Sequence, residues 1–93
     1  MHAATISEWL VMNEEHLLHE LQQAAQMLGN FQKDVVLDFS SVRRIDAAAT
    51  RELEKVAGIA DVHSVKVSLR GINIDIYRVL KLVKLALRFS FLT

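Results

Sequence analysis

Apolar positions along this chain follow two spacings. Residues Ile6 to Met12 form a mostly apolar run that includes Trp9 and reads as a first strand. Asn13 is then expected to cap a helix, with Glu14 and Glu15 in the first turn, where the helix dipole favours anions. Leu17, Leu21, Ala24, Ala25 and Leu28 follow at i, i+4, i+7, i+8 and i+11, one stripe of an amphipathic helix that Gly29-Asn30 ends. Val35-Val36-Leu37, carried on by Asp38-Phe39, is an uninterrupted β-branched run of the kind found in a central strand buried on both faces. From Asp46, a second expected N-cap, the stripe recurs as Ala49, Leu53, Val56, Ala57 and Ala60, with Gly58 inside it leaving the end of the helix undefined.

Residues 65–69 alternate as a strand stopped by Gly71, a third helix is expected over about Ile74 to Leu85, and Leu87 to Leu92 reads as a last strand. The order is therefore β-α-β-α-β-α-β. Strands separated by helices of this length imply crossover connections and a largely parallel four-stranded sheet in an α/β fold, with helices packed on it. On the third helix Asp75, Arg78, Lys81 and Lys84 fan over about half the circumference. Ile76, Val79, Leu80 and Val83 are left to face the sheet, and Leu82 and Leu85 fall within or beside the charged fan, where burial against the sheet is not expected and packing under the C-terminal strand or a neighbouring helix is the plainer reading.

Ninety-three residues make one domain, 1–93, with a core that needs no staples. There are no cysteines, which excludes disulfides, thiolate metal sites and cysteine nucleophiles. Eleven basic and eleven acidic residues cancel, so no overall basic excess points to nucleic acid. The balance hides a gradient: residues 1–34 carry −4 and residues 66–93 carry +5. Such a basic face suits an acidic partner or an anionic membrane surface. Neither a secretory leader nor a spanning apolar stretch is visible, so a cytoplasmic location is expected.

Candidate chemistry is sparse. The glycines stand alone at 29, 58 and 71, so no phosphate-binding glycine loop can be built, and no cofactor is expected. Glu15-His16-Leu17-Leu18-His19-Glu20 places imidazoles and carboxylates at i, i+4, but in an order that fits no zinc-protease spacing. It reads as a solvated helix face opposite the Leu17/Leu21 stripe. His63 is expected in a loop and carries no assigned role. The chain shows no catalytic constellation and is not expected to be an enzyme.

The most specific stretch runs from Val35 to Asp46, VVLDFSSVRRID. It resembles the signature of STAS domains, the family of anti-sigma factor antagonists and sulfate-transporter tails: a buried strand, Asp38 and Ser40, a short loop with Val42 and Ile45, and Asp46 starting a helix. Downstream, Val67-Ser68-Leu69-Arg70-Gly71 resembles the family's glycine-ended strand. Residues 77–85, YRVLKLVKL, are similar to the last helix of STAS subunits of lipid-transporting ABC systems. The resemblance covers about residues 13–93. The family's opening two-stranded hairpin has room for one strand only before Asn13. Phosphorylatable members carry a serine directly after the aspartate; here Ala47-Ala48-Ala49 stand there, so no phosphorylation is expected at Ala47.

The resemblance implies a STAS-like regulatory module that binds an anti-sigma factor with kinase activity, or a signalling complex. Asp46, Ala47, Ala48, Arg43 and Arg44 would line the docking edge. Thr50, Ser40 and Ser41 are the nearby hydroxyls; they read first as turn bonds and ordinary surface, and a displaced switch would have moved to one of them. The alternative is an accessory subunit gripping the ATPase of an ABC transporter through helices two and three; a third reading is membrane binding through the basic C-terminal helix. Leu82, with Arg78, Lys81 and Lys84 as a rim, is a further partner-binding candidate, self-association to a homodimer included.

Overall fold

The run Val35-Val36-Leu37 lies in an interior strand, as its lack of polar alternation requires. The computed structural model describes residues 8–30 and 34–92. In order these form β1 (Glu8–Asn13), α1 (Leu17–Leu28), β2 (Val35–Ser41), α2 (Ala47–His63), β3 (Val67–Arg70), α3 (Ile74–Leu82) and β4 (Ser90–Leu92), with 3-10 turns at Glu14–His16 and Ala86–Arg88. The sheet order is β1-β2-β3-β4 and every pair is parallel, with Trp9, Val36, Ser68 and Ser90 in one register row. Right-handed crossovers between adjacent parallel strands bring successive helices to the same face. Leu37, Phe39 and Leu69 point to that face and share one core with Leu21, Leu53 and Leu80 of the three helices. Both expected helical stripes are buried in full. Tyr77 of α3 meets Phe91 of β4 edge-on, with centroids 5.4 Å apart.

Several boundaries differ from the sequence expectation, each for a local reason. Asn13 does not cap α1. It ends β1, and its amide N–H and Nδ2 both donate to the Glu20 carboxylate (2.6 and 3.0 Å), while a 3-10 turn precedes the helix. Gly58 lies inside α2, which runs on to His63, so His63 ends a helix rather than lying in a loop. There Ser64 turns left-handed (φ 56°), and Ser64 and Val65 donate back to the carbonyls of Asp61 and Ala60, which delays β3 to Val67.

The same closure ends α3 early. Lys84 takes φ 65°, Lys84 N–H donates to the Lys81 carbonyl, and Leu85 N–H donates to the Leu80 carbonyl. The reversal drives Leu85 into the core (2% exposed), in keeping with the plainer reading, whereas Leu82 stays 82% exposed against it and Val83 is 45% exposed instead of facing the sheet. Ile76 and Leu80 are buried as expected. The last strand is shortened to Ser90–Leu92 because residues 86–88 form the second 3-10 turn. The expected start of the first strand at Ile6 and the question of an opening hairpin lie outside the described residues.

Candidate functional site

The segment between β2 and α2 is built around buried or half-buried anchors and capped at both ends. Val42 is buried and Ile45 packs against the core from its edge. Asp46 is extended and non-helical, and its Oδ1 accepts from Ala49 N–H at 2.8 Å, the N-cap the sequence called for. Thr50 Oγ1 donates to the Asp46 carbonyl at 2.8 Å, which closes the first turn from the other side. Ala47 and Ala48 are the first two helical residues, whose N–H groups have no carbonyl within the helix to bond.

Two long-range clamps hold the loop, and neither was read from sequence. Glu14, in the turn after β1, accepts through Oε1 from the backbone N–H groups of Arg43 (2.6 Å) and Arg44 (3.1 Å). These two bonds, the Arg43 one first, hold the Glu14 carboxyl below its ordinary value. From the other side Asn73 Nδ2 donates to the Arg43 carbonyl (2.9 Å), while its Oδ1 caps α3 by accepting from Ile76 N–H (2.8 Å). An asparagine before an apolar helix is a legible cap. Its second role, and that of Glu14, depend on partners about thirty residues away in sequence.

Upstream, Asp38 and Ser40 form one unit. Asp38 Oδ1 accepts from Ser40 N–H (2.9 Å) and Ser40 Oγ (2.6 Å), and Oδ2 accepts from Trp9 Nε1 and Arg70 Nη1, both at 3.3 Å. The Ser40 hydroxyl, then the Ser40 amide, hold the Asp38 carboxyl below its ordinary value. The Arg70 guanidinium lies over the Trp9 ring, 5.5 Å from the centroid, on the sheet face opposite the helices. Ser40 is thus committed to a turn bond.

The candidate docking residues reach the surface together. Arg43, Arg44, Asp46 and Ala47 are exposed, and Ala48 is half-buried. Ile45 forms the floor of three shallow grooves around this edge. One, of about 410 Å³, lies between the start of α2 (Asp46, Ala47, Thr50) and Val79 and Val83 of α3. Another, of about 370 Å³, runs between the loop and Glu14, Glu15 and Leu18. The third, of about 380 Å³, is shared by Arg44, Asp75 and Val79. Leu82 lines none of the three, although its neighbour Val83 lines the first. His16 and His19 are exposed on the N-terminal side of the fold, and Glu20 is taken up by Asn13. Among the described residues no group of three or more histidine or acidic side chains is gathered closely enough to hold a metal ion. Among the same residues no helix is long and apolar enough to cross a membrane.

No protein-family model matches the chain, and no curated protein matches it either. Solved structures do. A chain from the molecular architecture of the stressosome, a signal integration and transduction hub, superposes with a TM-score of 0.70 at 22% identity, covering 95% of this chain and 84% of that one. A Thermotoga maritima protein put forward as an anti-sigma factor antagonist superposes at 0.71 with 17% identity, covering 95% and 81%. The parallel sheet, the order of its elements and these likenesses agree: the chain has a STAS-like fold.

Proposed function

We propose that this protein is a non-enzymatic regulatory module that docks another protein on the β2–α2 edge, through Arg43, Arg44, Asp46, Ala47 and Ala48. The observation that carries the reading is the environment of Ala47. It is exposed at the first position of a capped helix, beside a groove, on a loop held from both sides by Glu14 and Asn73. A pre-ordered loop loses little entropy on binding, which favours recognition. A hydroxyl at this position would carry a phosphate against free helix N–H groups, and its added charge would switch the surface. The methyl group of Ala47 accepts no phosphoryl group, so the module stays in the unmodified form and regulation falls to the partner.

The partner class this reading favours is an anti-sigma factor with kinase activity or a stressosome-type signalling assembly, in a bacterial cytoplasm. The groove between α2 and α3 supports a second reading, in which the ATPase of an ABC transporter grips both helices. A photo-crosslinking residue at position 47, followed by identification of the adduct, separates the two by the kind of nucleotide-binding protein captured. Incubation with a captured kinase and ATP is expected to leave the mass unchanged. A phosphate mapped to Thr50, Ser40 or Ser41 would show that the switch has moved, and crosslinking that yields no adduct would remove the edge from the proposal.

A further inference from the structure

From residue 76 onward the sequence carries four cations, Arg78, Lys81, Lys84 and Arg88, and no acidic residue. The left-handed turn at Lys84 sorts the apolar residues of this corner into two sets. Leu85 goes into the core, while Leu82 is 82% and Leu87 99% exposed, with Val83 between them 45% exposed. Both leucines sit on ordered backbone, Leu82 at the last position of α3 and Leu87 in the 3-10 turn that follows. Arg88 anchors that turn to α2 through Asp61 at 2.9 Å. Single exposed leucines are ordinary. Two exposed this fully within six residues, among cations and no acidic residue, make this end of the chain amphipathic.

We propose that this corner docks on an anionic lipid surface, with Leu82 and Leu87 entering the interface and Arg78, Lys81 and Lys84 meeting the headgroups. Charge complementarity and shape both select this occupant. A two-fold contact of this corner with its own copy would bring the same cations against one another. A specific protein interface needs roughly 800 Å² a side around a central anchor, and two leucines with one half-exposed valine fall well short of it. A bilayer accepts projecting apolar side chains without a shaped pocket, and basic residues beside them add attraction to anionic lipid. The acidic groups near this corner are Asp61, engaged by Arg88, Glu54, which lines the groove that Val83 and Arg51 share, and Asp75, one turn before Arg78 on α3. Val83 also lines the groove beside Ala47, so this corner adjoins that edge.

The test is co-sedimentation of the full chain with vesicles of phosphatidylcholine alone and of phosphatidylcholine mixed with phosphatidylserine. Binding is expected on the mixed vesicles only, with release at raised salt. Leu87→Asp and Leu82→Asp are each expected to weaken it by about tenfold or more, and Lys81→Gln and Lys84→Gln by about fivefold each. All four positions are exposed, so the thermal midpoints stay near that of the parent. Three results would overturn the proposal. One is no sedimentation with the mixed vesicles, and another is binding that Leu87→Asp leaves intact. The third is vesicle-free self-association, or capture of an acidic protein partner, that Leu82→Asp abolishes while vesicle binding is absent.

Discussion

Substituting Gly71 by alanine tests how the signature loop is held to the rest of the sheet. Gly71 follows β3 with φ 73°, a conformation that costs a residue with a Cβ about 1–3 kcal/mol. Space is the larger obstacle. A Cβ at this position would lie 2.3 Å from Ser40 Oγ and 2.7 Å from both Ser40 Cα and Ser40 N. The hydroxyl can rotate away, but only by giving up its 2.6 Å bond to the Asp38 carboxylate, and a bond to a charged group is worth about 1.5–3 kcal/mol. The Ser40 backbone cannot rotate away, so the ends of β2 and β3 must part. Together these put the loss at about 3–6 kcal/mol, against a total stability on the order of 5–14 kcal/mol for a chain of this length. Urea titration followed by the fluorescence of Trp9, the single tryptophan, reads it directly, since Trp9 is bonded to the same Asp38. Gly58→Ala is the matching control: its Cβ would meet nothing within 4 Å in mid-helix, and it is expected to stabilise by about 0.5–1 kcal/mol. A Gly71→Ala loss below about 1 kcal/mol would refute the reasoning, because it would mean that Ser40 and its loop are not fixed against the end of β3.

Other outcomes follow from the same geometry. Asp46→Ala should lose about 0.5–2 kcal/mol through the missing cap on Ala49 N–H, measured by thermal melting; partner affinity that falls no further than the folded fraction would reduce Asp46 to a cap. Ser64→Gly should stabilise by about 0.5–1 kcal/mol, seen as a rise of a few degrees in Tm, because Ser64 closes α2 at φ 56°. Asp38 and Glu14 both have carboxyls held below their ordinary values by hydrogen bonds to the ionised form. Their stabilisation is therefore present at neutral pH and lost as pH falls from about 4 through the lowered folded-state values, and a urea midpoint series from pH 6 to about pH 2 should show that decline weakened in Asp38→Asn.

The parts of this fold that were legible in the sequence are those governed by a period or a single residue's preference. Leu17 to Leu28 and Ala49 to Ala60 repeat every three or four positions because each helix buries one face, and both stripes are buried as read. Asp46 before an apolar run announces a cap and is one. The misreadings cluster where a tertiary partner overrode a local preference. Asn13 had the composition of a cap, yet it extends β1 and binds Glu20. Lys84 sits where a glycine would mark the turn, so the apolar pattern carries the expected helix three residues past the end of α3 at Leu82. Nothing in the local sequence of Glu14 or Asn73 could reveal that they grip the same loop, since the loop residues they bond expose only backbone groups to them.

The same distinction bears on what the signature means. Each of its five matched residues turns out to have a structural task in this chain: Asp38 and Ser40 bond to each other, Val42 is buried, Ile45 packs at the core edge, and Asp46 caps α2. The motif therefore specifies a rigid frame that presents the first turn of α2, and a sequence match to it reports the frame. The residues a partner would touch, Arg43, Arg44, Ala47 and Ala48, stand between and after those anchors with their side chains largely free of the core. Because no packing constraint selects them, they can change without unfolding the protein. Ala47 illustrates the separation: its methyl group takes no part in the cap on Ala49 or in either clamp on Arg43, so a change of side chain there leaves all three in place.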